Sequence, residues 1–239
     1  MSNSQQLSKT IRKHAIASKE SFSQQEKVVS AREMVIKKVR QKYPQIHFEY
    51  RKRITKIDIR SSISDLNPEF GKNISNKGSF IQPDGGFLFA YFNGEPKMIL
   101  SCEAKKQGTN NLRRLKGLDE QAMGNAVERT SKNYLELSQY LSKEDIFPYL
   151  IFISGDDFKR ESNLRDRLTA NNFQCPFNKL YIYKKEAGEI NGHIQYASIP
   201  SIFIREKQWS VPEIRNKMLK AVEISIQHYL KTCTKVGYK

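Results

Sequence analysis

Hydrophobic positions along the chain fall into runs of two periods. Residues 26–42 carry Val28, Val29, Ala31, Met34, Val35, Ile36 and Val39 at helical spacing, with Lys37, Lys38, Arg40 and Lys42 crowding the end. Cations are favoured at a helix C-terminus, and Tyr43-Pro44 stops the helix, because a residue before proline is pushed out of the helical region. The alternating string His47-Phe48-Glu49-Tyr50-Arg51 predicts a short strand, followed by the basic segment Arg51-Lys52-Arg53. Ile57-Asp58-Ile59 opens either a helix or a loop. Residues 67–79, rich in Gly, Asn, Pro and Ser, read as a loop. Two apolar runs, residues 87–92 and Met98-Ile99-Leu100, flank Asn93-Gly94-Glu95-Pro96 and predict a β-hairpin. Residues 106–116 are a basic, polar loop placed to touch a phosphate backbone. Ala126, Val127, Thr130, Tyr134, Leu137 and Leu141 recur at helical spacing after Asn125. Residues 147–153 are continuously apolar, the pattern of a central strand buried on both faces. A helix is expected over residues 161–172, and strands over 180–183 and 194–204, joined by a Gly-rich turn at 187–192. Trp209-Ser210-Val211-Pro212-Glu213 opens a last helix that buries Ile214, Met218, Ala221, Val222, Ile224, Ser225 and Tyr229. Residues 231–239 form a basic tail.

No internal repeat and no convincing linker divides the chain, and 239 residues suffice for a single core of central sheet and flanking helices. Residues 1–25 are polar and basic and read as an arm, mobile or partly helical, that is either a frayed terminus or a clamp around a duplex; residues 26–239 read as one domain. Charge sharpens this. Lys+Arg 41 against Asp+Glu 25 gives a formal net charge of +16, so a polyanion is expected as partner, nucleic acid first and an anionic membrane surface second. Cys102, Cys175 and Cys233 are odd in number and far apart, which suits neither a disulfide framework nor a zinc knuckle and points to a reducing cytoplasm. The four histidines form no zinc-binding cluster, and no run is apolar enough for a signal peptide or a membrane span.

The candidate chemistry lies in Pro83-Asp84-Gly85-Gly86 and Ser101-Cys102-Glu103-Ala104-Lys105. Glu103 and Lys105 are two apart and share a strand face. Asp84 lies where the first hairpin strand begins, beside the end of the second. Two carboxylates and an ammonium so placed suit metal-assisted phosphodiester hydrolysis: Mg2+ takes one or two protein carboxylates with water and phosphate oxygens, and activates a bound water. The competing reading is a surface hairpin with a strand-edge salt bridge. A second stretch, residues 124–133, opens with Asn125 and Glu128 in capping-box spacing and puts Asn125, Glu128, Arg129 and Lys132 on one polar helix face. Those residues either cap the helix and meet solvent, or aim a helix N-terminus at base edges, for which Asn, Glu and Arg are suited. Asp156 and Asp157 after the apolar run read as a loop or helix start.

These strings resemble the EcoRI-type type II restriction endonucleases. The likeness rests on Pro83-Asp84-Gly85-Gly86 with Glu103-Ala104-Lys105-Lys106-Gln107-Gly108, on Gly124-Asn125-Ala126-Val127-Glu128-Arg129 ending in Lys132-Asn133, and on Asp166-Arg167-Leu168-Thr169-Ala170-Asn171. The resemblance implies an α/β fold of the PD-(D/E)xK type, a mixed central β-sheet flanked by helices. It implies a homodimer acting on a palindrome in double-stranded DNA, with Mg2+ as cofactor, 5′-phosphate ends, and a cognate methyltransferase acting on the same site. By the same resemblance Asp84 and Glu103 would hold the metal, Lys105 would assist the water and the phosphate, and Asn125, Ala126, Glu128 and Arg129 would read bases. Gln107, Lys132, Arg165, Arg167 and Gln121 would be backbone or accessory contacts. The family pattern is broken at Gln82, where a phosphate-contacting lysine is expected, at Leu164, where a base-contacting arginine is expected although Arg165 adjoins it, and at Gln121, which replaces a base-reading methionine. The expected site therefore has an AATT core, GAATTC-like or RAATTY-like, with the outer pair open. The alternatives are a DNA-binding protein without catalysis and a repair nuclease of low specificity.

Overall fold

The hairpin expected from the Asn-Gly turn supplies the second and third strands of a seven-stranded mixed sheet. The structure, a computed structural model, describes residues 3–75, 78–106, 110–118, 125–155, 180–183, 190–192 and 202–233. In chain order the described elements are α1 (Asn3–Lys42), β1 (Phe48–Arg51), β2 (Ile54–Thr55), α2 (Lys56–Leu66), α3 (Pro68–Lys72), β3 (Phe80–Ile81), β4 (Phe87–Phe92), β5 (Glu95–Lys106), α4 (Asn110–Leu115), α5 (Asn125–Tyr140), β6 (Tyr149–Ser154), β7 (Leu180–Tyr183), β8 (Ile190–Gly192), β9 (Ile202–Arg205) and α6 (Val211–Cys233). The sheet order is β1-β4-β5-β6-β9-β7-β8, and β2 and β3 pair separately. β4 runs antiparallel to both of its neighbours, β1 and β5, while β5, β6, β9 and β7 run parallel. The fold class is the α/β arrangement that the sequence implied.

The turn between β4 and β5 shows why Asn-Gly is needed there: Asn93 and Gly94 both have positive φ, 52° and 82°, the backbone of a hairpin turn whose twist matches the strands. β5 then leaves the hairpin and pairs in parallel with β6, Glu103 opposite Ile151. Every residue of β6 is buried, as the unbroken apolar run predicts.

Alternation along β5 and β6 sorts side chains onto two cores. Leu100, Cys102 and Ala104, with Leu150 and Phe152, face a core shared with α1 (Val28, Ala31, Val35) and α6 (Ile214, Met218, Val222). Phe87, Phe89, Tyr149 and Ile151 face the opposite core, closed by Tyr134 and Leu137 of α5 and Ile59 of α2. Glu103 is one residue out of step with Cys102, so it projects to the α5 side. Trp209 ties α6 to the sheet by donating its Nε1–H to the Ile153 carbonyl at 3.0 Å.

Several elements depart from the pattern-based reading. α1 begins at Asn3, not at residue 26. Nothing interrupts it: residues 3–42 contain neither Gly nor Pro, and both are the strongest local breakers. Ile57-Asp58-Ile59 is helical, because Thr55 caps α2 by a reciprocal bond with Asp58, the Thr55 N–H donating to Asp58 Oδ2 at 2.7 Å and the Asp58 N–H to Thr55 Oγ1 at 3.3 Å. The loop at 67–79 contains α3, which starts at Pro68, a position where proline's fixed φ suits the first helical turn. The basic loop at 106–116 contains α4, and its Arg113 is buried, so that guanidinium is no surface contact for phosphate. Strand β8 lies inside the expected turn at 187–192, and β9 covers the end of the expected strand at 194–204. On α6, Ile224 is only half-buried, while Leu219 and Ile226 complete the buried face. Asp156, Asp157 and the helix at 161–172 lie outside the described residues.

Candidate active site

Pro83 to Gly86 form a tight turn, closed by the Gly86 N–H donating to the Pro83 carbonyl at 3.0 Å. The turn is stitched to β5 twice. The Gly85 N–H donates to the Cys102 carbonyl at 2.9 Å, and the Ala104 N–H donates to Asp84 Oδ2 at 3.0 Å. Gly85 is required by proximity: a β-carbon there would stand 2.1 Å from Cys102 Sγ and 3.1 Å from the Cys102 carbonyl oxygen. Gly86 is required by conformation and space together, with φ +62° and Tyr50 ring atoms 2.7 Å from where its β-carbon would stand.

Glu103 is 3 % exposed and every part of its carboxylate is engaged. Oε1 pairs with the Lys105 ammonium. Oε2 accepts from the Tyr149 hydroxyl and from Asn133 Nδ2, the latter at 2.7 Å. Burial raises the Tyr149 pKa well above the ordinary phenol value, and the Glu103 charge raises it further, so Tyr149 keeps its proton and is a donor. Burial also pushes the Asp84 carboxyl up; the Ala104 N–H and the Lys105 ammonium pull it down, and Glu103 pushes it up. Asp84 thus feels both Glu103 and Lys105, and the three groups that the sequence singled out form one electrostatic unit at the ends of β4 and β5.

The donor chemistry suits a hard divalent cation. Two carboxylates are the protein share that magnesium ordinarily takes, and no hydrogen bond among the described residues reaches Asp84 Oδ1. Among the described residues no group of three or more His, Cys, Asp or Glu side chains is placed to hold a metal. Cys102 is buried, and burial with the nearby Asp84 charge raises its thiol pKa, which keeps it a packed thiol rather than a thiolate ligand.

Over residues 10–235 the chain matches the family described as Restriction endonuclease EcoRI. The chain belongs to that family. It is 32% identical over 174 residues to the type II restriction enzyme EcoRI of Escherichia coli, a match covering 61% of this chain and 63% of that enzyme, a little under two thirds of its length. It is 28% identical over 224 residues to the type II restriction enzyme RsrI of Cereibacter sphaeroides, covering 81% of this chain and 80% of that enzyme. The mixed sheet with helices on both faces is the fold expected of an EcoRI-family chain.

The remaining sequence-predicted residues lie either on α5 or outside the described residues. Asn125, Ala126, Glu128 and Arg129 lie on the first turns of α5, which begins at Asn125 as its spacing indicated. Glu128 and Lys132 are exposed. Gln107, Gln121, Arg165 and Arg167 lie outside the described residues.

Three residues of the site escaped the sequence reading. Asn133 closes the family-like string, but only the fold shows it meeting Glu103. Tyr149 was read as part of an apolar strand. Arg32 was hidden among the cations of α1, yet it is buried, stacks 4.3 Å from the Tyr50 ring centroid, and donates from Nη1 to the Tyr50 hydroxyl at 2.8 Å and to the Gly85 carbonyl at 3.4 Å. It braces the Asp84 turn from the α1 side. Arg32→Met is therefore expected to lower stability by about 1–3 kcal/mol, the scale for losing a charged hydrogen bond from a buried partner, measured by urea unfolding; an unchanged midpoint would show that the brace is dispensable.

Proposed function

We propose that this EcoRI-family member is a type II restriction endonuclease. It cuts both strands of double-stranded DNA at a palindrome with an AATT core in a Mg2+-dependent reaction and leaves 5′-phosphate ends. The observation that carries this reading is the joining of Asp84, Glu103 and Lys105 into one charged cluster where the Asp84 turn is bonded to β5. The formal net charge of +16 supports a polyanionic substrate.

Asp84 and Glu103 would hold the magnesium ion. When bound, the metal lowers the pKa of a coordinated water and stabilises charge on the scissile phosphate. The chain's own groups do the rest. The Ala104 N–H fixes one Asp84 oxygen and leaves the other for ligation. Tyr149 and Asn133 fix Glu103. Lys105, on the same strand face as Glu103, carries a positive charge into the site, where it offsets negative charge that develops on the phosphate. Asn125, Ala126, Glu128 and Arg129, at the leading end of α5, read the AATT core from the major groove. Lys132, and with it Gln107, Gln121, Arg165 and Arg167, serve as backbone or accessory contacts.

A two-fold homodimer matches a palindrome, each copy reading one half-site. The enzyme works in the cytoplasm, and a cognate methyltransferase modifies the same sequence. The outer base pair is G·C or either purine–pyrimidine pair, since Gln121 and Leu164 replace the family's expected outer contacts. Digestion of random-sequence DNA with magnesium, followed by mapping of the ends, tests the proposal. Ends clustered at AATT-centred palindromes are expected. Binding without cutting, or cutting at scattered sequences, would replace it with the two alternative readings.

A further inference from the structure

The hydrogen bonds to Glu103 come from two different elements of the fold. Tyr149 sits on β6, fully buried and locked to β5 by parallel pairing. Asn133 sits on α5, half-buried, about 12 Å along the helix from Asn125 at 1.5 Å per residue. Both donate to the same oxygen, Glu103 Oε2. The terminal torsion of a glutamate is soft, so its carboxylate takes the orientation its donors dictate. One of those donors is fixed in the sheet. The other is carried by α5, the helix whose leading turns hold the residues proposed to read bases.

We propose that Asn133 is the positioning residue that couples base recognition to catalysis. Seating α5 on the correct sequence holds Asn133 where it donates to Oε2, and so holds Glu103 in the orientation that ligates metal beside Asp84. A mismatched duplex leaves α5 displaced, breaks the Asn133 bond and leaves Glu103 Oε2 held by Tyr149 alone, so the carboxylate loses its fixed orientation. The inference rests on the nuclease reading given above and adds the physical path by which that reading yields fidelity.

Single-turnover cleavage of a cognate duplex, and of duplexes with one changed base pair, tests it, with binding of each measured in metal-free buffer. Asn133→Ala is expected to slow cognate cleavage by about 10–100-fold, the scale for removing a hydrogen-bonding partner of a metal ligand, and to raise the magnesium concentration needed. Cognate binding in metal-free buffer stays close to that of wild type, because Asn133 is proposed to act on Glu103 and not on a base. Cleavage of the changed duplexes falls much less, so discrimination in rate narrows while discrimination in binding persists. Tyr149→Phe removes the donor that does not move with α5, and is expected to slow cognate and changed duplexes by the same factor. Wild-type cognate cleavage under the same conditions is the control: its absence would overturn the nuclease reading and this inference with it. With wild type active, the coupling is overturned if Asn133→Ala cuts cognate DNA at the wild-type rate, if it slows both classes equally, or if its loss of rate only follows a loss of binding.

Discussion

Glu103→Gln is expected to leave a folded, DNA-binding protein that does not cut. Glutamine keeps the shape and removes the charge. Its amide group must also turn a donor either toward Lys105 or toward Tyr149 and Asn133, all of which already donate at the carboxylate. In the proposed arrangement Asp84 alone would then hold the cation, and cleavage should fall by about 10²–10³-fold or more, the scale for removing one preorganised charge-stabilising group from an active site. Specific binding without metal should persist, because Glu103 is buried and in the proposed arrangement would meet the duplex only through the metal. Filter binding and plasmid cleavage on the same preparation separate the two effects. A Glu103→Gln protein that cuts at near the wild-type rate would remove Glu103 from the active site.

The second large effect is at Gly85, which contributes no chemistry of its own. A methyl group at Gly85 must displace Cys102 Sγ, otherwise 2.1 Å away, or open the turn from β5. Neither neighbour yields easily: Cys102 is buried in a packed strand, and the Gly85 N–H is bonded to the Cys102 carbonyl. Overpacking of this kind costs about 1–3 kcal/mol. In a domain of this size that is a melting-point drop of roughly 2–12 °C. The turn also sets Asp84, and a displacement of about 1 Å at a catalytic group can cost on the order of 10²-fold in rate. Gly85→Ala should therefore lose both stability and cleavage, and Gly85→Ala with Cys102→Ala should recover part of each, since the closest clash is gone. A Gly85→Ala protein that matches wild type in melting and cleavage would contradict the packing described here.

The parts of this architecture that could be read from the sequence are those with strong local signals. The hairpin declared itself by Asn93-Gly94, β6 by its unbroken apolar run, and α5 and α6 by their buried stripes. The fused motifs pointed to Asp84, Glu103 and Lys105, and the fold brings all three together. Short or weakly patterned elements were illegible. β2 and β3 are two residues each, too short to show alternation. α2 is announced by Thr55 with Asp58 at the capping position usually held by Glu or Gln. The early turns of α1 carry only a sparse stripe, Leu7, Ile11, Ala15 and Phe22, among polar residues, and no breaker interrupts them. Asn133, Tyr149 and Arg32 could not have been assigned from spacing, because their roles arise from contacts across 30, 46 and 53 positions of sequence. The parallel pairing of β5 with β6, which puts Tyr149 beside Glu103, is a property of topology and leaves no local trace.

The central claim is that Asp84 and Glu103 share one divalent cation at a DNA phosphate. Its most direct measurement is anomalous diffraction from the protein crystallised with an AATT-centred duplex and manganese, a hard ion that accepts the oxygen donors suited to magnesium. The expected result is an anomalous peak bonded to a carboxylate oxygen of each residue and to a phosphate oxygen of the duplex. A peak elsewhere, or a bound duplex with the two carboxylates turned apart and no metal between them, would contradict it.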